Sequence, residues 1–245
     1  MEFSDRLKNL PPQFFATLVQ KVSKAVAEGR DVINLGQGNP DQPTPDHIVK
    51  ALSSAAKNPQ SHKYSPFRGI NELKQAAVDF YAREYNVNLD PNTEVAVLFG
   101  TKIGLVELPL ALMNDNELML LPDPGYPDYL SGIGLANVQF ETMPLLEENG
   151  FLPDYEQLST EQKEAAKLMY LNYPNNPTGA SATSEFFQET VDLAKENGIA
   201  VVHDFAYGGI GFDGKKPVSF LEAKGAKEIG IEMYPLSKSY NMAGW

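Results

Sequence analysis

From Glu94 onward the chain alternates short apolar runs with segments of helical periodicity, and this alternation narrows the fold more than any other feature. Residues 95–99, 118–121, 138–142, 168–171 and 199–202 each read as a short strand. A helix is expected from about Thr101, a second runs through about Leu135 after a turn, and two more fall at about 154–166 and 183–197. Short buried strands alternating with helices predict an α/β domain with a largely parallel sheet. Upstream, residues 11–29 read as an N-terminal helix with Phe14, Phe15, Leu18, Val22 and Val26 on one face. In sheets of this kind ligands bind beyond the carboxyl ends of the strands. Residues just after each strand are therefore the first candidates for chemistry.

Composition removes several function classes. A net charge of −12 argues against a nucleic-acid or anionic-membrane partner. It leaves room for a local anion site, because helix N-termini bind phosphate whatever the net charge. With no cysteine, disulfides and thiolate chemistry are excluded, and three isolated histidines give no metal-ligand spacing. The N-terminus lacks a basic start followed by an apolar stretch, and no segment approaches the ~20 apolar residues of a membrane span. The expectation is a soluble cytoplasmic protein without a metal.

Four segments and a C-terminal stretch carry chemistry. Phe99-Gly100-Thr101-Lys102 follows a strand and opens a helix; Gly100 lets the backbone approach a ligand, and the exposed amides with the Thr101 hydroxyl suit a phosphate. Asp123-Pro-Gly-Tyr-Pro-Asp-Tyr129 sets Tyr126 in a stiff turn, where it can stack on a flat ring. Asn172-Tyr-Pro-Asn-Asn-Pro-Thr-Gly179 fixes its backbone and presents the Asn176 amide in one orientation, suited to donate to a phenolate oxygen. His203-Asp-Phe-Ala-Tyr207 places Asp204 at a strand end, where it either caps a helix or pairs with a ring nitrogen, with Tyr207 three residues on. Pro235-Leu-Ser-Lys-Ser-Tyr-Asn-Met-Ala-Gly-Trp245 puts Lys238 just past a short apolar run, residues 229–234. An amine partly desolvated there can attack a carbonyl to form a Schiff base. Taken singly, each segment also reads as an ordinary turn, cap or surface lysine.

Taken in order, the segments resemble the class I/II aminotransferases of fold type I, which use pyridoxal 5′-phosphate. Asn34-Leu-Gly-Gln-Gly-Asn-Pro-Asp41 and Lys63-Tyr-Ser-Pro-Phe-Arg-Gly69 are similar to further family segments, so the resemblance runs from about Ile33 to Trp245. It implies a three-layer αβα large domain with a mainly parallel sheet over residues 33–245, preceded by an N-terminal arm and helix over 1–32. Lys238 matches the Schiff-base lysine that also moves the α-proton, and Asp204 the partner of the pyridinium nitrogen. Asn176 and Tyr207 match the donors to the ring 3-oxygen, and Tyr126 the stacked aromatic. Gly100, Thr101 and Lys102 match the phosphate loop, with Ser237 beside them in the cofactor set. Gly38 and Asn176 match positions near the substrate carboxylate, and Tyr64 matches a tyrosine reaching the phosphate of a neighbouring subunit, which implies a homodimer. The partners implied are an amino acid and a 2-oxo acid. Within the family the texture is similar to bacterial methionine-salvage transaminases.

Three departures stand out. Pro235 occupies a position where the family usually has serine or threonine, and it offers neither hydroxyl nor N–H. The family places an arginine directly after the glycine-tryptophan pair, and then continues into a small C-terminal domain carrying an arginine that forks onto the substrate carboxylate. The sequence stops at Trp245, so the expectation is an incomplete large domain without the small one, and impaired catalysis. Other readings remain open: a lyase or decarboxylase on the same scaffold, a non-catalytic remnant, or a cofactor-sensing regulatory domain, against which the acidic charge argues.

Overall fold

The computed structural model describes residues 2–8, 10, 14–36 and 38–245. One sheet of five strands organises the chain: β1 (Leu118–Asp123), β2 (Gln139–Pro144), β3 (Ala166–Leu171), β4 (Ala200–Asp204) and β5 (Gly230–Met233). Their order is β2-β1-β3-β4-β5, and every neighbouring pair is parallel. The helices are α1 (Asp5–Lys8), α2 (Phe14–Ala27), α3 (Asp46–Ala55), α4 (Asn71–Tyr85), α5 (Thr101–Leu112), α6 (Tyr129–Ala136), α7 (Thr160–Ala165), α8 (Ser184–Asn197), α9 (Ala226–Ile229) and α10 (Leu236–Ser239).

Strand parity sorts the core into two halves, because successive side chains point to opposite faces of a sheet. Met119, Leu121, Leu168, Tyr170, Val202 and Met233 face one side and pack with Leu105 of α5 and with Tyr129 and Ile133 of α6. Leu120, Met169, Leu171 and Val201 face the other and pack with Phe186, Phe187 and Val191 of α8. Helices thus cover both faces, giving the expected three-layer α/β architecture. A third cluster, Tyr81 and Tyr85 of α4 with Val87 and Phe205, closes the β4–β5 side. The strand order reverses between β1 and β3, since β1 leads outward to β2 before the chain returns to β3. Ligands of open α/β sheets bind at such a switch point.

Three local expectations need correction. Residues 95–99 are not a strand: no strand among the described residues pairs with them, and Leu98 and Phe99 are exposed. The helix expected over about 154–166 is a 3₁₀ turn, Tyr155–Gln157, followed by α7. A capping box makes the break: Gln162 N–H donates to Ser159 Oγ, and Ser159 N–H donates to Gln162 Oε1, so the helix starts afresh at Thr160. The N-terminal helix is described from Phe14, residues 11–13 lying outside the described residues, and its half-buried face is Phe15, Leu18, Val22 and Ala25. Phe14 and Val26, at the edges of that stripe, are exposed.

Candidate active site

Parity also decides where the end of β4 points. Val201 and His203 face α8, so Asp204, like Val202, turns towards α5 and α6. There it is buried, and the Tyr129 hydroxyl of α6 donates to its Oδ2 at 2.9 Å. Its Oδ1 is buried with no hydrogen-bond partner. Burial pushes the Asp204 carboxyl up to about 6, with the Tyr129 hydrogen bond pulling the other way. A buried acceptor left bare marks a position where a donor or a cation belongs.

The loop after β3 is tied to the same strand end. Asn172 Nδ2 donates to the Asp204 carbonyl at 2.7 Å, and Asn176 N–H donates to Asn172 Oδ1 at 2.7 Å. Asn176 is therefore fixed by its main chain, which leaves its side-chain amide free to address a ligand. Tyr207 is half-buried in the turn after β4; burial and the charge of Asp204 both raise its phenol above the usual range.

Lys238 and Ser237 lie on α10, just after β5, and both are half-buried. The turn carrying Tyr207 presses on this helix: a Cβ at Gly209 would collide with Ser239. Ser239 Oγ is in turn 3.1 Å from the Tyr234 hydroxyl. At the start of α5, Gly100 adopts φ +85° with open space around it, and no side chain caps the helix. The first-turn amides, those of Thr101 and Lys102 among them, are left for another acceptor. This turn reaches the same place, because Gly104 abuts Met233, the register partner of Asp204.

Tyr126 follows β1, half-buried, with its ring edge-on to Tyr129 at 5.6 Å. Its hydroxyl donates to Asp128 Oδ2 at 2.8 Å, and Lys102 Nζ meets the same oxygen at 2.5 Å. Burial works against the Lys102 charge, but Asp128 and Tyr126 outweigh it and raise the ammonium group above its usual range. The Lys102 side chain is thus engaged by Asp128, while its main chain stays in the α5 turn.

Lys238, Ser237, Tyr207, Asn176 and Tyr126 all follow the carboxyl ends of β1, β3, β4 or β5, Asp204 ends β4, and Gly100, Thr101 and Lys102 stand at the start of α5. Tyr64 is not among them; it is fully exposed on the loop before α4. Gly38 lies in the N-terminal loop, with open space around it. A link from that loop to the lysine segment is the Thr44 hydroxyl, which donates to the Asn241 carbonyl at 2.6 Å. Sequence reasoning missed Tyr129, Asn172 and Asp128 as supporting residues. All three sit inside the quoted motifs, and the signal available was the polar side chain itself, next to an apolar strand end. Among the described residues no group of three or more histidines and carboxylates could hold a metal ion, and no helix is long and apolar enough to cross a membrane.

Residues 30–245 match the family described as aminotransferase class I and II. The chain belongs to this family. Class I and II aminotransferases work with pyridoxal 5′-phosphate. Among relatives, this aminotransferase chain is 66% identical over 244 residues to an L-glutamine–4-(methylsulfanyl)-2-oxobutanoate aminotransferase of Bacillus subtilis (strain 168), covering all of this chain and 61% of the relative. It is 53% identical over 242 residues to transaminase BacF of the same organism, covering 99% of this chain and 60% of BacF. The solved apo structure of BacF superposes with a TM-score of 0.95 at 51% identity, covering 100% of this chain and 63% of that one. The Thermus thermophilus aspartate aminotransferase fold is reached at 26% identity and a TM-score of 0.90. The chain spans about three fifths of the length of the curated relatives it matches.

Proposed function

We propose that this chain holds pyridoxal 5′-phosphate beyond the carboxyl ends of its strands and serves the transfer of an amino group between an amino acid and a 2-oxo acid. The observation that carries the reading is Asp204 Oδ1, buried and without a partner. A carboxyl raised to about 6 by burial is poised to ionise when a cation arrives, and a protonated pyridine nitrogen is such a cation. The phosphate end fits as well, since the uncapped first turn of α5 after Gly100 offers free amides.

When bound, the cofactor supplies an electron sink conjugated to the substrate Cα. The residues do the rest. Asp204 holds a proton on the ring nitrogen, and Tyr129 keeps its carboxylate oriented. Asn176 and Tyr207 would donate to the ring 3-oxygen, and Tyr126 would pack against the ring. The amides of Thr101 and Lys102, with the Thr101 and Ser237 hydroxyls, bind the phosphate; Pro235 adds no donor there. Lys238 would hold the cofactor through its amine, and would hold and move a proton at Nζ. Gly38 and Asn176 serve the substrate carboxylate.

The 66% identical relative supports glutamine and a 4-(methylsulfanyl)-2-oxo acid as the first substrates to try. The full exposure of Tyr64 and Phe67 supports a homodimer in which a second copy covers that loop, and the acidic chain fits a cytoplasmic setting. The test is to load the protein with pyridoxal 5′-phosphate, add glutamine or methionine, and assay the products. Release of the matching 2-oxo acid with conversion of the cofactor to its amine form is expected. Release of methanethiol or carbon dioxide instead would replace the transferase reading with lyase or decarboxylase chemistry.

A further inference from the structure

On the face of the sheet opposite Asp204 lies a polar group that the site just described does not use. Glu232 of β5 and His203 of β4 have fully buried side chains, with His203 Nδ1 2.7 Å from Glu232 Oε2. Glu232 is saturated with donors: the Tyr81 and Ser219 hydroxyls reach Oε1 at 2.8 and 2.6 Å, and Phe220 N–H reaches Oε2 at 2.8 Å. Three donors besides the ring crowd its two oxygens and stabilise the carboxylate as an acceptor, which places the proton shared with the imidazole on Nδ1. The ring is clamped by Phe187 and Phe205, each 4.9 Å away between centroids.

The other ring nitrogen faces the main chain of Tyr173: Nε2 is 3.3 Å from its N–H and 3.0 Å from its carbonyl oxygen. A neutral ring accepts from the first and a protonated ring donates to the second, so the imidazole grips Tyr173 in either state. Tyr173 adjoins Asn172, which holds the Asp204 carbonyl and the Asn176 N–H from the site side. The loop that presents Asn176 is therefore gripped on both faces of the sheet. From the far face the grip comes from β5, the strand that leads to Lys238.

We infer that His203 is a positioning residue, a buried strut from Glu232 to the Tyr173 main chain that sets the Asn172–Asn176 loop against Asp204. The inference concerns the same site as the proposed cofactor chemistry and rests on that reading for its meaning, but its first two tests need no cofactor.

Two substitutions split the strut. His203→Gln places an amide near the Nε2 position and keeps the Tyr173 limb; His203→Asn places one near Nδ1 and keeps only the Glu232 limb. Hydrogen exchange on the chain without cofactor should show peptide 172–179 opening about tenfold faster in H203N than in H203Q, as expected for loss of a buried hydrogen bond. Equal exchange in the two variants, or faster opening in H203Q, would overturn the inference. Should either variant fail to fold, the imidazole ¹⁵N spectrum of the unsubstituted chain decides the Glu232 limb. A protonated Nδ1 on His203 supports it; a bare Nδ1 sinks it. With pyridoxal 5′-phosphate added, H203N should also shift the pH midpoint of the bound cofactor's visible absorbance while H203Q leaves it near the unsubstituted value; the reverse ranking counts against the strut. If the unsubstituted chain takes up no cofactor at all, the cofactor reading fails, and the exchange and ¹⁵N results still decide the strut.

Discussion

The Tyr129 hydroxyl is the one hydrogen-bond donor to the Asp204 carboxyl among the described residues, at 2.9 Å from Oδ2, while Oδ1 faces none. The residue expected to ionise in the site is thus half-supported by protein, in a setting where burial favours its neutral form. Completing the shell falls to whatever binds there.

The first prediction follows from the sign of that shift. The Asp204 pKa is raised in the fold, from 3.8 to about 6. Between those values the folded chain binds more protons than the unfolded one, so stability falls as pH rises through the window. Its contribution is present below about pH 4 and lost above about pH 6, roughly 3 kcal/mol in all at 1.36 per unit. In cofactor-free protein, Asp204→Asn removes this dependence. Urea unfolding of both forms from pH 4 to 7 should show the variant gaining on the parent as pH rises. A difference that stays flat across that range would mean the carboxyl is hydrated.

Lys238 should be the site of cofactor attachment. Borohydride reduction of the loaded protein is expected to fix the cofactor there, with Lys238→Ala abolishing the adduct. Lys102, the other lysine near the site, is held by Asp128 at 2.5 Å. Peptide mapping that finds the label on Lys102, or spread over surface lysines, would displace the assignment.

Asp128 anchors two site residues at once, through Oδ2 to the Tyr126 hydroxyl and to Lys102 Nζ. Asp128→Ala should free both and weaken cofactor affinity by about tenfold to a hundredfold, the range for a lost charge-assisted contact. Fluorescence titration with pyridoxal 5′-phosphate measures this. Unchanged affinity would show that neither residue depends on the anchor.

What the sequence made legible was whatever is local. Four of the five expected strands formed within a residue or two, because short apolar runs between helices have little else to do in an α/β sheet. Tyr126, Asn176, Asp204 and Lys238 fell at or just past strand ends for the same reason. The supporting shell was not legible: Tyr129 meets Asp204 across 75 positions, and Tyr81 meets Glu232 across 151. Such pairs depend on strand order and parity, which a single sequence does not display. The failure at 95–99 has the same root, since a strand needs a partner that its own residues do not specify.

Gly132 gives a packing test away from the chemistry. In a helix, alanine normally gains about 1 kcal/mol over glycine. Here a Cβ would lie 3.1 Å from the Leu105 carbonyl oxygen and 3.3 Å from both Pro109 Cγ and Val106 Cα, where α6 crosses α5. Two of those atoms are backbone and cannot swing aside, so overpacking of about 1–3 kcal/mol should win. Gly132→Ala should lower the unfolding midpoint in urea without changing the m-value. A raised midpoint would show that the helices part freely.

The strand order described above has a consequence for how the protein is made. Tyr126, Asn176 and Lys238 follow three different strands and Asp204 ends a fourth, and the sheet that carries them pairs strands distant in the chain. Topologies dominated by such distant contacts fold slowly, because loop-closure entropy is spent before the contacts form. The pocket cannot be assembled in part: until β5 docks beside β4, the lysine has no fixed place relative to the carboxylate. If the proposed site holds its cofactor, capture is then a late event that reports completed folding, and a ligand that binds only the finished state holds that last strand in place by mass action.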